Sequence, residues 1–299
     1  MPSNVIHYYF ADEVRKQLSG DIARIIDENR DAYDLGAQGP DVLFYLKFKG
    51  EPKLLGELIH KAADVFPLFE QSSQYLTKNY SDTLAAFIFG QLCHYASDRV
   101  IHPYVYFMEK KLLAYYPENA HKHIHVLIES AFDYLCIRDY MHLNTVFYKG
   151  ADKVKIKPNS RKIAARYFSD LVAPLFNDVL SEKTAEKAIK RMRLFLQLCN
   201  DPLKIKYCLI RLVECLMGVS KTISLFIRPR REKKEEDWFN HNRTPFPKYH
   251  NQEVMTDETF DELFLRAKSD ATALIKNIYD RINNNTPLDK KLYKLNYSG

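Results

Sequence analysis

The chain has 299 residues, 46% of them hydrophobic and 27% charged, which provides enough apolar material for a sizeable core in an ordinary soluble protein. Its 9 glycines are few for this length and argue against an all-β fold, whose tight turns use glycine heavily. The formal net charge of +6 is mildly basic and gives no strong signal for nucleic-acid binding.

The N-terminal residues 1–14 lack the basic and apolar regions that make up a signal peptide. No window approaches the roughly 18 consecutive apolar residues of a transmembrane helix. We therefore expect a cytoplasmic protein, either soluble or in loose peripheral contact with a membrane. The 5 cysteines lie in apolar helical stretches and are expected to be buried, reduced thiols.

Hydrophobic periodicity typical of helices extends over most of the chain. In the first half, the predicted helices cover residues 5–19, 21–33, 53–66, a long stretch from Ser81 with a break near Pro103, and about 120–142. Pro67 is expected to end the third of these helices, because proline commonly follows a helix C-terminus. The turn-rich segment Gly39-Pro40-Asp41 precedes that helix.

In the second half, the predicted helices cover residues 160–180, 182–198, 203–225 and about 257–283, followed by a polar tail. A charged run at 228–237 begins a connector of about 228–255 that is rich in proline, asparagine and histidine. Most of the histidines precede residue 143, so any metal chemistry is expected in that part. We predict one all-α domain over 1–299, with a metal-binding half at 1–150 and a helical packing half at 151–299.

Two short columns of polar residues lie within the predicted apolar helices. His94, Asp98 and His102 are spaced four residues apart, and His125 and Glu129 repeat that spacing. Since a helix turns about 100° per residue, side chains four apart share one face. Buried imidazole and carboxylate groups need a compensating partner, and a divalent metal ion bound by nitrogen and oxygen ligands is the usual one.

Some of these residues have other interpretations. A single histidine such as His60, on an otherwise aliphatic helix, is more often a hydrogen-bonded core residue than a ligand. His121 shares a helical face with His125 and could replace it as a ligand. Asp133 lies one turn after Glu129, where it could orient a ligand histidine or be a surface acid.

The ordered set of these motifs resembles the zinc-dependent phospholipase C family, an all-α fold that single-strand-specific zinc nucleases share. The matching segments are His7, Gly39-Pro40-Asp41, His60, Gly90-Gln-Leu-Cys-His94-Tyr-Ala-Ser-Asp98, His102-Pro103 and His125-Val-Leu-Ile-Glu129. They occur in the family's order over residues 7 to about 130.

The resemblance implies a metal site with assigned roles. One zinc ion would be held by Asp41, His60, His94 and Asp98, a second by His102, His125 and Glu129, and Asp98 would bridge to a third position that involves His7. Secreted members use the amine of an N-terminal tryptophan as a ligand, which this sequence lacks, so two ions are expected, with three as the alternative. Asp41 and Asp98 are the implied catalytic carboxylates, with Asp41 as general base.

The function implied is a zinc-dependent phosphoric ester hydrolase, most similar to phospholipase C, in which metal-activated water attacks phosphorus. The substrate would be a phosphoester, with phospholipid as the leading candidate. A nuclease or nucleotidase on the same fold is a second interpretation. A third is a protein whose metal cluster stabilises the helices without catalysis.

Overall fold

The structure is a computed structural model that describes residues 4–46, 55–115, 124–218, 224, 227, 236–249 and 253–299. In these residues the α-helices are α1 (Asn4–Arg15), α2 (Gly20–Glu28), α3 (Arg30–Gly36), α4 (Leu55–His60), α5 (Phe66–Lys78), α6 (Asp82–Tyr115), α7 (Ile124–Leu135), α8 (Gly150–Lys153), α9 (Pro158–Arg166), α10 (Ala173–Leu175), α11 (Glu182–Cys199), α12 (Ile205–Leu216) and α13 (Phe260–Asn284). The two strands, β1 (Phe246–Pro247) and β2 (Met255–Thr256), form an antiparallel pair with Phe246 opposite Thr256. The all-α prediction is confirmed.

Several shorter helical turns complete the described chain. A 3₁₀ helix covers Gly39–Tyr45 and another covers Lys290–Tyr293. Two π-helical turns follow α7 and α9, at Cys136–Tyr140 and Tyr167–Val172.

Helix α6 is the central element, and α1, α2, α3, α7, α9 and α13 pack around it. Residues 84–101 of this helix are all buried and most of them are apolar, as expected for a helix surrounded by others. Contact with α3 is unusually close, because a Cβ atom at Gly90 would lie only 2.2 Å from the carbonyl oxygen of Tyr33. Glycine at this position therefore allows the backbone of α3 to pack directly against α6, the helix that carries His94, Asp98 and His102.

The expected break near Pro103 is wrong, because α6 continues through this residue to Tyr115. Proline removes one backbone donor and frees the carbonyl of the residue four positions earlier, here Arg99. Gly299 packs against both residues, so closely that a Cβ atom there would lie 2.5 Å from the Arg99 oxygen. Packing from the C-terminal segment thus encloses the site of the missing backbone hydrogen bond.

Pro67 begins a helix instead of ending one. Helix α4 ends at His60, and Pro67 lies in the first turn of α5. Proline is favoured in the first turn because the backbone N–H it lacks would have no partner within the helix. The predicted start of the earlier helix at Lys53 lies outside the described residues.

The C-terminal segment is more buried than its polar composition indicates. Tyr293 and Tyr297 are buried beside α6. The Tyr95 hydroxyl donates to the carbonyl of Leu295 over 2.5 Å, and Arg99 donates to the carbonyl of Leu292. The segment after α13 therefore lies along the helix that carries His94, Asp98 and His102.

Other predicted boundaries shift. Helix α7 ends at Leu135 and gives way to a π turn, well before the predicted end near residue 142, and residues 120–123 lie outside the described part. Helix α12 ends at Leu216, earlier than predicted, and most of the charged run at 228–237 is likewise outside the described part. All five cysteines are free; Cys93 and Cys136 are buried as expected, but Cys208 and Cys215 are exposed.

None of the described helices has a stretch sufficiently long and apolar to span a lipid bilayer.

Candidate metal centre

The structure brings the predicted ligand residues together from five elements. They come from α1 (His7), the 3₁₀ helix at Gly39–Tyr45 (Asp41), α4 (His60), α6 (His94, Asp98 and His102) and α7 (His125 and Glu129). Three sets of these residues have ligand atoms within 4.8 Å of one another: His7, Asp41 and His94; His60, His94 and Asp98; and His102, His125 and Glu129. The arrangement agrees with the predicted cluster, and the role of each residue as a ligand remains a proposal.

Asp98 lies at the centre of the cluster. Its Oδ1 is 3.4 Å from Nε2 of His7, and its Oδ2 is 3.1 Å from Nε2 of His94 and 3.4 Å from Nε2 of His60. The two oxygens of one buried carboxylate therefore face different histidines. This is the geometry that a carboxylate needs to serve two neighbouring metal positions.

Asp41 reaches the same region from the 3₁₀ helix, where its Oδ1 lies 3.4 Å from Nε2 of His60. The turn that carries it depends on Gly39, which has φ +56°. A Cβ atom at Gly39 would lie 2.2 Å from the ring of His94. Glycine is thus required both by the left-handed backbone and by the close approach to the histidine.

A second group lies between α6 and α7. Nε2 of His125 is 3.1 Å from Oε1 of Glu129, and the ring of His102 lies 5.9 Å from that of His125. Nδ1 of His102 is 3.9 Å from Oδ2 of Asp98, so this histidine connects the second group with the first.

All five histidines of the cluster have an oxygen atom beside Nδ1. Nδ1 lies 3.0 Å from Ser97 Oγ in His7, 2.7 Å from the Gly56 carbonyl in His60, 3.2 Å from the Ala37 carbonyl in His94, 2.6 Å from the Tyr297 carbonyl in His102 and 2.9 Å from Glu109 Oε1 in His125. In His60, His94 and His102 the partner is a carbonyl, which can only accept, so the hydrogen is on Nδ1 and Nε2 keeps its lone pair. Histidines that bind metal ions in proteins are held in this way. In His125 both ring nitrogens face carboxylate oxygens, those of Glu109 and Glu129, so the ring donates from both nitrogens.

Ser97 completes the pattern at His7. Its hydroxyl donates to the carbonyl of His94 over 2.9 Å, so its oxygen is left to accept from Nδ1 of His7. Ser97 therefore fixes the ring of His7 from the neighbouring position on α6.

Burial and charge shift the pKa values of the cluster in opposite directions. Burial, together with the neighbouring His94, lowers the pKa of His7 to about 4. Burial disfavours the charged form of Asp98, but the surrounding histidines outweigh it and hold its carboxyl pKa well below the ordinary range. The pKa of the buried Glu129 is also lowered, with His125 and His102 among the causes. At His125, the same burial cost is outweighed by Glu129 and Glu109, which raise the pKa to about 10. The carboxylates are thus ionised and surrounded by imidazoles.

The donor set fits zinc. Nε2 of His94 is buried, and although Asp98 Oδ2 is close, the two atoms do not meet in hydrogen-bonding geometry, so within the described residues this nitrogen has no hydrogen-bond partner. A buried nitrogen lone pair without a donor is the expected arrangement where a cation completes the contact. Imidazole nitrogen and carboxylate oxygen are the ligands of hydrolytic zinc sites. The cluster therefore has the ligand atoms that zinc prefers and a buried nitrogen lone pair that is available to bind it.

A cavity of about 20 Å³ lies between the two groups, lined by His7, Asp98, His102 and Glu129 with Ile6 and Phe132 among its apolar walls. A space of this size holds a single water-sized species.

Sequence reasoning missed several supporting residues. Tyr297 is distant in sequence, and no local pattern indicates that its carbonyl meets His102. Glu109 was detectable, because it lies two helical turns after His102 on the same helix. Asp133 is neither a histidine partner in the described contacts nor a surface acid: its buried carboxylate accepts from the backbone N–H groups of Val5 and Ile6, at the start of the helix that carries His7. His121, the alternative to His125, lies outside the described residues.

Comparison with known proteins agrees with the geometry. The profile of the family described as zinc dependent phospholipase C matches residues 6–186, which include every residue of the cluster. The searches of curated proteins and of solved structures found no match. Because the family profile covers more than half of the chain, the chain belongs to the zinc-dependent phospholipase C family.

Proposed function

We propose that this chain is a zinc-dependent phosphodiesterase that hydrolyses a phospholipid in the manner of a phospholipase C. The observation that supports it most is the orientation of the clustered histidines: all five have Nδ1 beside an oxygen, and Nε2 of His7, His60 and His94 faces the carboxylates of Asp98 and Asp41. Such an arrangement is costly unless cations occupy the centre.

The residues divide between metal positions as follows. His60, His94 and Asp98, with Asp41 close to His60, would hold one ion; His102, His125 and Glu129 would hold a second. Oδ1 of Asp98 faces His7, so a third ion would lie between them. Two ions are the expected number and three the alternative. When bound, zinc lowers the pKa of water and neutralises charge on phosphoryl oxygens.

The chain's own groups prepare the reaction. Asp98, ionised at neutral pH, faces His7 through Oδ1 and His94 through Oδ2, so one carboxylate would serve two metal positions. Asp41 is more accessible than Asp98, with 12% of its side chain exposed against 5%. Since Oδ1 of Asp41 faces His60, we propose that Oδ2 receives the proton of the attacking water.

Two measurements on the purified protein test this proposal. Metal analysis should find two or three zinc ions for each chain. A substrate panel should then compare a phosphatidylcholine dispersion, a chromogenic phosphocholine ester, single-stranded DNA and a mononucleotide at equal enzyme concentration. We expect the phosphocholine compounds to be hydrolysed fastest.

Each alternative has its own result in the same panel. Preferential cleavage of single-stranded DNA or the mononucleotide would replace the phospholipase proposal with a nuclease or nucleotidase. Bound zinc without hydrolysis of any compound would indicate a structural cluster. A folded protein without zinc would contradict the metal centre itself.

A further inference from the structure

Helices α11 and α12 and the loop between them present a large apolar surface to solvent. We call it the hairpin surface; its exposed apolar residues are Leu194, Leu198, Leu203, Ile205, Leu209, Leu212, Val213, Leu216 and Met217. The exposed fraction is 59% for Leu209, 57% for Leu212 and 79% for Leu216. Within α12, Ile205, Leu209, Leu212, Val213 and Leu216 have the spacing of one helical face, so they form a contiguous stripe. Exposed apolar residues are normal when scattered, but such a stripe indicates an interaction surface.

Helix α12 is inverted relative to an ordinary amphipathic helix. Glu214 is its only buried residue, while its leucines face outward. The carboxylate of Glu214 accepts hydrogen bonds from Arg211 and from both the backbone N–H and the hydroxyl of Ser224. These contacts satisfy the hydrogen-bonding groups of the buried acid.

The charge of the hairpin surface is positive. From Lys190 to Met217 there are six cationic residues, Lys190, Arg191, Arg193, Lys204, Lys206 and Arg211, and two acidic ones, Asp201 and Glu214. Asp201 accepts from the backbone N–H of Tyr207 at the start of α12, and Glu214 is buried. Glu214 is paired with Arg211, and Lys190 lies 4.0 Å from Glu186, so the charges left outside these ion pairs are those of Arg191, Arg193, Lys204 and Lys206 against that of Asp201.

Helix α11, which precedes α12 in the chain, packs against the segment that carries Asp41. The ring of Phe195 on α11 lies 5.6 Å from that of Tyr45, and Arg191 donates to the carbonyl of Leu46 over 2.6 Å. Tyr45 is the last residue of the 3₁₀ helix of Asp41, and Leu46 follows it. Helix α11 therefore links the hairpin surface to an element of the metal centre.

We propose that the hairpin surface docks onto an anionic phospholipid membrane, with the leucines of α12 in the acyl boundary and the lysines and arginines at the head groups. This inference rests on the proposed function, because it states how a lipid substrate is presented to the site. A second copy of the chain is a poorer occupant, since a symmetric contact would bring two cationic surfaces together.

The experiment is vesicle co-sedimentation of the full chain. Vesicles of phosphatidylcholine alone are compared with vesicles of phosphatidylcholine and phosphatidylglycerol in equal parts. The variants are L209Q, the double variant L209Q/L212Q and K204E. The matched control is L265Q, because Leu265 on α13 is also an exposed leucine, with an exposed fraction of 61%.

We expect binding to the anionic vesicles that weakens as salt is added, because screening acts on the cationic residues. L209Q/L212Q should weaken it by roughly tenfold or more, since each substitution removes an apolar side chain from the acyl boundary. K204E should weaken binding mainly at low salt, and L265Q should bind as the original chain does.

Three results would overturn the proposal: no binding to either vesicle, equal weakening by L265Q, or a dimer in light scattering that L209Q dissociates. The test is independent of catalysis. Loss of vesicle binding with intact hydrolysis of the soluble chromogenic ester contradicts the docking surface alone. Intact vesicle binding without hydrolysis of any phosphoester contradicts the proposed function alone.

Discussion

Helices α6 and α12 differ from an ordinary amphipathic helix in opposite ways. Helix α6 buries His94, Asp98 and Arg99, whereas α12 exposes Leu209, Leu212 and Leu216. The polar groups of α6 have hydrogen-bond partners on neighbouring segments, such as the carbonyls of Ala37 and Leu292. The apolar groups of α12 face solvent.

The comparison of α6 with α12 shows two kinds of unfavourable free energy: burial of charged groups and exposure of apolar groups. Buried charge needs hydrogen bonds and counter-charges, and the helices around α6 supply them. Exposed apolar surface needs a partner from outside the chain. The 3₁₀ helix that carries Asp41 contacts both α6 and α11, the helix that precedes α12.

Removal of zinc should have the largest effect of these changes, and it should affect the metal centre around α6 but not the exposed surface of α12. A strong chelator should abolish hydrolysis and lower the free energy of unfolding by about 4 kcal/mol for each zinc ion removed, relative to protein with free zinc near 1,000 times its dissociation constant. Thermal unfolding with and without chelator measures this, and added zinc should restore it. Binding of α12 to anionic vesicles should persist; its loss on chelation would show that the two regions are coupled.

Substitution of Asp98 by asparagine should produce the next largest effect. Changes in the outer partners of metal ligands typically reduce activity or metal affinity by about 10- to 100-fold. Loss of a carboxylate that would bind two metal ions should therefore reduce turnover by more than roughly 100-fold. Zinc content and turnover measure this directly. The control is D280N, because Asp280 is an exposed acid on α13. Unchanged turnover in D98N would remove Asp98 from the site.

A matched pair of leucine-to-alanine variants compares the two helices in stability. Leu92 of α6 is fully buried, and L92A should cost about 2–5 kcal/mol of unfolding free energy. Leu209 of α12 is mostly exposed, and L209A should cost less than about 0.5 kcal/mol. Chemical denaturation measures both. A large cost for L209A would mean that α12 packs against the chain and is not free to bind a membrane.

The smallest expected effect is at Glu109, the carboxylate beside Nδ1 of His125. E109Q keeps an oxygen acceptor but removes the charge that raises the pKa of His125. We expect turnover to fall by about tenfold, the lower limit for outer partners of a metal ligand, with the fold intact by circular dichroism. If E109Q lost zinc from the His125 position completely, Glu109 would itself be a ligand.

Local periodicity was sufficient to predict the cores of the helices and the polar columns. The spacing of His94, Asp98 and His102 determines that they share one face, whatever surrounds them. Helix boundaries were less predictable, because proline can begin, end or lie within a helix: Pro67 is in the first turn of α5, and Pro103 lies within α6. Which of these occurs depends on the segments that pack against the proline. The division of the chain into a metal-binding half and a packing half stays a prediction.

By itself, the sequence determined the all-α class, the residue types of the cluster and their order along the chain, because these depend on spacing within single helices. Only the tertiary structure decided which oxygen holds each histidine, that the C-terminal segment reaches His102 through the Tyr297 carbonyl, and that the leucines of α12 face outward. These features depend on contacts between residues far apart in the chain, and the burial of a side chain is set by what packs against it rather than by its own chemistry.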